Sequence, residues 1–318
     1  MSKPIIVVIG ATGGQGGSVV TSFLEDGSYK VRGTTRNVDS AKAKALKARG
    51  VELVTADLDN IESLIAAFKD ATVIYAVTDF FEPFASKGPK EAIKIETQQG
   101  INLAKAAAAT PTLKHYIWST LANAGKISGG KYMIPHFVGK NIIDDFIKNE
   151  TALFAKTTFL WNTYYASNLL LPMFKPSFLK TAGKYVWLQP SSPQTSIVGL
   201  GDQNVNVGPF ALAIIKKPEL TLPGKFVLGS VESLTTGDLL KSWSKVTGND
   251  AEYVQVTLED FDRLWPKWGL EMGEMLKFWE EFGDKSWSGE ELVTKEDLGF
   301  EFPFVTTEQA FGTFDWEL

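Results

Sequence analysis

Three glycines at three-residue intervals, Gly10, Gly13 and Gly16, stand between the β-branched run Pro4-Ile5-Ile6-Val7-Val8-Ile9 and a segment of helical spacing. Bare backbone placed between a strand and a helix N-terminus can close on a pyrophosphate, whose charge the amides and the helix dipole favour. That position marks Gly10-Ala11-Thr12-Gly13-Gly14-Gln15-Gly16 as a phosphate loop rather than a tight turn that binds nothing, with Thr12 and Gln15 in its lining. About 20 residues on, where an NAD-preferring domain carries an acid for the ribose 2′-hydroxyl, the chain reads Thr34-Thr35-Arg36. No carboxylate there repels a 2′-phosphate, and Arg36 can pair with one while Thr35 donates a hydroxyl; the alternative is that Arg36 is a surface cation. These spacings predict a dinucleotide cofactor, NADP(H) rather than NAD(H). Asp57, ending the third strand, can contact adenine or cap the next turn. Leu58, Val77 and Thr78, which follow strands three and four, complete the expected lining.

Those residues need a sheet to hold them. The first apolar run is continuous rather than alternating, as in a strand buried on both faces of a parallel sheet. Helical spacing from Ser18 to Asp26, a strand from Tyr29 to Thr34, and then alternating helices and strands follow: Ser40–Arg49, Val51–Thr55, Ile61–Phe68, Thr72–Val77, Glu91–Ala109 and His115–Ser119. Five strands separated by helices specify an α/β protein with a doubly wound parallel Rossmann sheet. From Gly125 the texture changes to a helix (His136–Asn149), a strand (Thr158–Asn162), a strand at Phe226–Leu228, helices at Thr236–Thr247 and Leu258–Trp265, and long irregular stretches between them. The expected organisation is a nucleotide-binding domain over 1–155 and a smaller mixed lobe over 156–318. The two interleave, with some strands of the lobe returning to the Rossmann sheet.

A chain of 318 residues with net charge −5 lacks the clustered cations that grip a phosphate backbone, so nucleic acid is not expected as a direct partner. With no cysteine and two histidines, His115 and His136, thiol catalysis is excluded and a structural zinc site is not expected. No apolar run approaches the ~20 residues that span a bilayer, and a soluble, cytoplasmic protein, monomer or homodimer, is expected.

The glycine spacing, Arg36, Trp118-Ser119-Thr120-Leu121 and above all His136-Phe137-Val138-Gly139-Lys140 resemble the NmrA-like family, a branch of the atypical short-chain dehydrogenases. The resemblance extends through Tyr164-Tyr165-Ala166-Ser167-Asn168 to the Thr247-Gly248 helix end and is most specific over the first 170 residues. It implies NADP preference, a lysine (Lys140) that bonds the nicotinamide ribose, and one of two roles: a reductase of the isoflavone-reductase type, or a non-enzymatic sensor that regulates transcription. Typical short-chain dehydrogenases place a tyrosine four residues before that lysine; here His136 holds the place. Pro135 starts the helix, so His136 lies in its first turn, with Lys140 one turn along. Both influences disfavour imidazolium, and a neutral His136 is expected to polarise a substrate carbonyl. Ser119 or Thr120, ending strand five, holds a substrate oxygen or caps a turn, and Tyr132 is a reserve acid or a packing residue. Tyr164, Tyr165 and Asn168 belong at the nicotinamide end or in the core, while Trp265, Trp268, Phe278, Trp279 and Trp287 roof an apolar pocket or pack the lobe. The expected activity is NADP(H)-dependent reduction of a carbonyl, imine or activated double bond in a small organic substrate. The alternative is a nucleotide sensor presenting its second lobe to a regulatory protein.

Overall fold

Apolar runs without alternation are stable only where both faces are covered, and the first strand meets that condition: Ile6 and Val8 pack into one core, Val7 and Ile9 into the other. The computed structural model describes residues 3–299 and 301–317. Its central sheet has eight strands, β1 (Ile5–Val8), β2 (Lys30–Thr35), β3 (Glu52–Thr55), β4 (Ala71–Ala76), β5 (His115–Thr120), β6 (Thr157–Asn162), β7 (Lys225–Gly229) and β8 (Leu292–Val293). They are parallel and run in the order β8-β7-β6-β5-β4-β1-β2-β3. The winding reverses between β1 and β4, and ligands of open α/β sheets sit at the carboxyl ends beside such a switch point.

Helices cover both faces. Val19, Val20 and Phe23 of α1 (Gly14–Asp26) and Leu46 of α2 (Ala41–Ala48) pack on one; Leu64 of α3 (Ile61–Ala67) packs on the other. A short helix, α4 (Phe81–Lys87), runs into α5 (Pro89–Ala108), which packs with α6 (Pro135–Asn149) on the α3 face. The helix α1 begins inside the glycine loop rather than at Ser18, because this turn is set by tertiary packing and not by helix propensity: a Cβ on Gly16 would lie 2.2 Å from the Gly10 carbonyl oxygen.

Stretches that read as irregular contain two further long helices, α7 (Gln203–Lys216) and α8 (Trp268–Phe282). Pro209 argues locally against α7, since it removes the hydrogen bond to the carbonyl of Val205. That carbonyl instead accepts from Ser18 Oγ at 2.8 Å, and Ser18 Oγ in turn accepts from the Gly208 amide at 2.8 Å. The helix is thus completed by α1, from the other end of the chain. The C-terminal half also forms two three-stranded sheets, one of Tyr164–Tyr165, Ser196–Gly201 and Glu232–Thr235, the other of Ser177–Leu179, Lys184–Gln189 and Ala251–Gln255. Strands β6, β7 and β8 all lie beyond residue 155 and extend the main sheet.

Candidate functional site

A cleft of about 960 Å³ lies along the carboxyl ends of the strands. Gly10, Thr12, Gly13, Gln15 and Gly16 line it, as do Arg36, Asp57, Leu58, Val77, Thr78, Ser119, Thr120, His136, Lys140, Tyr164, Tyr165 and Asn168. Gly10 turns at φ +66°, and Gly13 caps α1 without a side chain, with no acidic residue in the first turn. The first amides of a helix have no partners within it, so this end presents donors and a positive dipole to whatever occupies the cleft. A dinucleotide pyrophosphate fits that donor set. Gln15, from the same turn, is held by its side chain: its Oε1 accepts from Tyr75 OH (2.7 Å) and Ser119 Oγ (2.8 Å), and its Nε2 donates to Tyr165 OH (2.7 Å). Asn162 Nδ2 donates to Ser119 Oγ at 3.0 Å. Ser119 is therefore part of a polar floor, and burial keeps the Tyr75 and Tyr165 phenols protonated by pushing both well above their ordinary range.

Arg36, at the end of β2, is exposed and donates from Nη1 to Glu82 Oε1 of α4 at 2.8 Å. Asp57 Oδ1 accepts from the Asp59 amide at 3.0 Å, so its carboxylate holds the turn as well as lining the cleft.

At the opposite end two helix starts meet. His136 is in the first turn of α6, whose N-cap residue Ile134 supplies no side-chain hydrogen bond, and Glu271 is in the first turn of α8. Glu271 Oε1 accepts from the His136 backbone amide (3.0 Å) and lies 2.5 Å from His136 Nδ1. A carboxylate from one helix thus caps the other and fixes the ring; the histidine side chain is 9% exposed and that of Glu271 2%. When Nδ1 donates to the Glu271 carboxylate, a neutral ring presents Nε2 to the cleft as an acceptor and an imidazolium presents it as a donor; when the Glu271 carboxyl carries the proton and donates to Nδ1, the neutral ring presents Nε2–H. No local signal marked Glu271, which lies 135 residues from His136 in a helix that the sequence pattern did not reveal.

Lys140, one turn along α6, donates from Nζ to Thr78 Oγ1 (2.7 Å) and Thr78 O (3.1 Å), lies 3.2 Å from Glu96 Oε1 of α5, and sits 5.0 Å over the Trp118 ring. Glu96 is fully buried, and its Oε2 lies where a Cβ on Gly139 would be, at 2.5 Å; glycine at 139 makes room for the carboxylate. One further turn along, Asp144 accepts from Trp118 Nε1 (2.8 Å) and Thr120 Oγ1 (3.0 Å). Burial pushes its carboxyl up to about 7 despite both donors. Tyr132 is not brought to the cleft: its hydroxyl donates to Glu281 at 2.8 Å, its ring packs against Phe278 and Phe282, and burial with the Glu281 charge pushes the phenol up to about 12. The apolar wall comes from Phe80, Phe81, Met272, Met275, Trp279 and Trp287, so part of the C-terminal aromatic set faces the cleft, while Phe278 is core. His115 is also core, bonded to Thr158 Oγ1 at 2.7 Å, with burial pushing it down to about 4.

A parallel sheet wound both ways from β1 and β4, with a glycine loop after its first strand and a cleft at the switch point, defines a Rossmann-type protein. The NmrA-like family matches over residues 2–297, and the chain belongs to that family. It is 30% identical over 286 residues to an NmrA-like family domain-containing protein of Dictyostelium discoideum, with 89% of each chain covered. It is 26% identical over 269 residues to an NmrA-like family domain-containing oxidoreductase of Aspergillus hancockii, covering 81% of this chain and 77% of that protein. The solved structure of NmrA, a negative transcriptional regulator, in complex with NADP superposes with a TM-score of 0.75 at 22% identity over 100% of both chains.

Proposed function

We propose that the protein is an NADP(H)-dependent reductase of a small organic molecule bearing a carbonyl, imine or activated double bond. The observation that carries this reading is His136, held by the buried Glu271, in a cleft that Phe80, Phe81, Met272, Met275 and Trp279 also line. The glycine loop holds the pyrophosphate, Arg36 and Thr35 the adenosine end, and Lys140, neutralised by Glu96, the nicotinamide ribose. NADPH, when bound, supplies a hydride. His136 gives the Nε2 proton to the substrate atom that gains the electron pair, so hydride and proton together complete a two-electron reduction. His136 keeps Nδ1–H, donated to Glu271, throughout, and that contact holds the ring in one orientation, while Phe80, Phe81, Met272, Met275 and Trp279 exclude water from the reacting atoms. The relative named as an oxidoreductase supports the reaction class.

A crystal structure with NADP⁺ tests the geometry: the nicotinamide should lie beside His136, facing the Met272–Trp279 wall. A nicotinamide left in solvent would remove the reductase reading. His136→Phe should retain nucleotide affinity and lose about 10²–10⁴-fold in turnover with any acceptor the native protein reduces. The second reading, a sensor of nucleotide redox state, is favoured by the absence of the tyrosine four residues before Lys140. It requires NADP⁺ and NADPH to bind with clearly different affinities, since a ligand shifts an equilibrium only through differential affinity.

A further inference from the structure

The end of β2 carries no acid in sequence, yet the fold delivers one there. Glu82, in the first turn of α4, comes from 46 residues further along and places Oε1 2.8 Å from Arg36 Nη1. The two side chains are 75% (Arg36) and 59% (Glu82) exposed, and both line the cleft together with Thr35, Asn37 and Asp57. Glu82 raises the Arg36 guanidinium above its ordinary value, and Asp79 and Asp57 add to the same field. The arginine that sequence assigns to a 2′-phosphate is therefore already engaged, in a neighbourhood of three carboxylates.

Resting on the dinucleotide reading above, we infer that Glu82 sets the choice between a 2′-phosphate and a 2′-hydroxyl on the adenosine ribose. A ribose diol meets a carboxylate acceptor in Glu82, the role an acid at the end of the second strand has in NAD-preferring domains. A 2′-phosphate must instead take Arg36 from Glu82 and then remain beside that displaced carboxylate, Asp79 and Asp57. Glu82 favours the first ligand and opposes the second, so this protein discriminates less strongly for NADP(H) than Arg36 alone would dictate. The same contact fastens α4 across the cleft: Phe81, next to Glu82, lies 5.3 Å from the His136 ring and is stacked at 5.9 Å on Trp268. The nucleotide's 2′ group and the His136 end of the site thus bear on one short helix.

The test is calorimetric titration of NADP⁺ and NAD⁺ into the full chain, native and Glu82→Gln, at low and at physiological ionic strength, with thermal melting to verify the fold. Glu82→Gln should shift the NADP⁺/NAD⁺ affinity ratio about two- to fivefold toward NADP⁺, the size expected when an exposed charge is removed beside the ligand, and added salt should shrink the difference. Glu82→Lys should shift the ratio further in the same direction. Binding of both nucleotides with an unchanged ratio in the two variants overturns the role of Glu82 and leaves the dinucleotide site standing. Failure of the native chain to bind either nucleotide overturns the site itself, and the role with it.

Discussion

Asp144 offers the sharpest test of how the α6 face is held. Its carboxylate is buried, with Thr120 and Trp118 as donors, and its carboxyl is pushed from the usual 3.8 up to about 7, burial outweighing both hydrogen bonds. An acid raised in the folded state binds more protons there than in the unfolded chain between those two values. Stability from this group is therefore full below pH ~4, declines as pH rises, and is lost above about 7. A shift of roughly three units corresponds to about 4 kcal/mol of destabilisation at pH 8. Asp144→Asn imitates the neutral acid, accepting from Trp118 and donating to Thr120, and leaves one amide hydrogen unpaired at a cost of about 1 kcal/mol. The net expectation is a gain of about 3 kcal/mol at pH 8, which for a chain of this size raises Tm by roughly 4–5 °C. At pH 5 the native protein carries the proton when folded and the advantage should fall to within about 1 kcal/mol of zero. Differential scanning calorimetry of both proteins at the two pH values reads this directly. An equal Tm difference at pH 5 and pH 8, or a less stable variant at pH 8, would refute the assignment of a strained carboxylate at this position.

Two further perturbations address the site itself. Gly16→Ala would bring a Cβ to 2.2 Å from the Gly10 carbonyl oxygen and 2.8 Å from that of Ile9, contacts with backbone that cannot turn aside. The loop must open, and nucleotide affinity measured by titration should fall tenfold or more; native affinity in a folded variant would show that the loop is not the phosphate site. Glu271→Gln keeps an acceptor for His136 Nδ1–H but cannot balance an imidazolium. Turnover should drop by about 10²-fold with nucleotide Kd unchanged, and the pH profile of kcat should change shape; a uniform loss of stability with an unaltered profile would make the contact structural only.

The doubly wound sheet was legible in the chain because its signals are local: β-branched runs of strand length, glycines between strand and helix, and a change from continuous apolar runs to helical spacing at the boundaries. The phosphate loop and Arg36 could be singled out for the same reason, each being set by its distance from a strand end, whereas His136 and Lys140 were singled out by the resemblance to the NmrA-like family. What the chain concealed is whatever depends on partners distant in sequence. The helix carrying Pro209 is completed by Ser18 of α1, and no window of sequence around residue 209 contains that serine. Tyr132, close to His136 in sequence, is turned toward Glu281.

Composition and spacing by themselves determined the sheet, the loop after its first strand and the placement of His136 and Lys140 one turn apart on a helix, because those follow from backbone geometry and periodic burial. The three carboxylates that contact the site's basic side chains, Glu82 on Arg36, Glu96 beside Lys140 and Glu271 on His136, were brought there by tertiary structure alone. A charged side chain acts on whatever lies within a few ångströms, and sequence separation places no limit on which residues the fold brings that close.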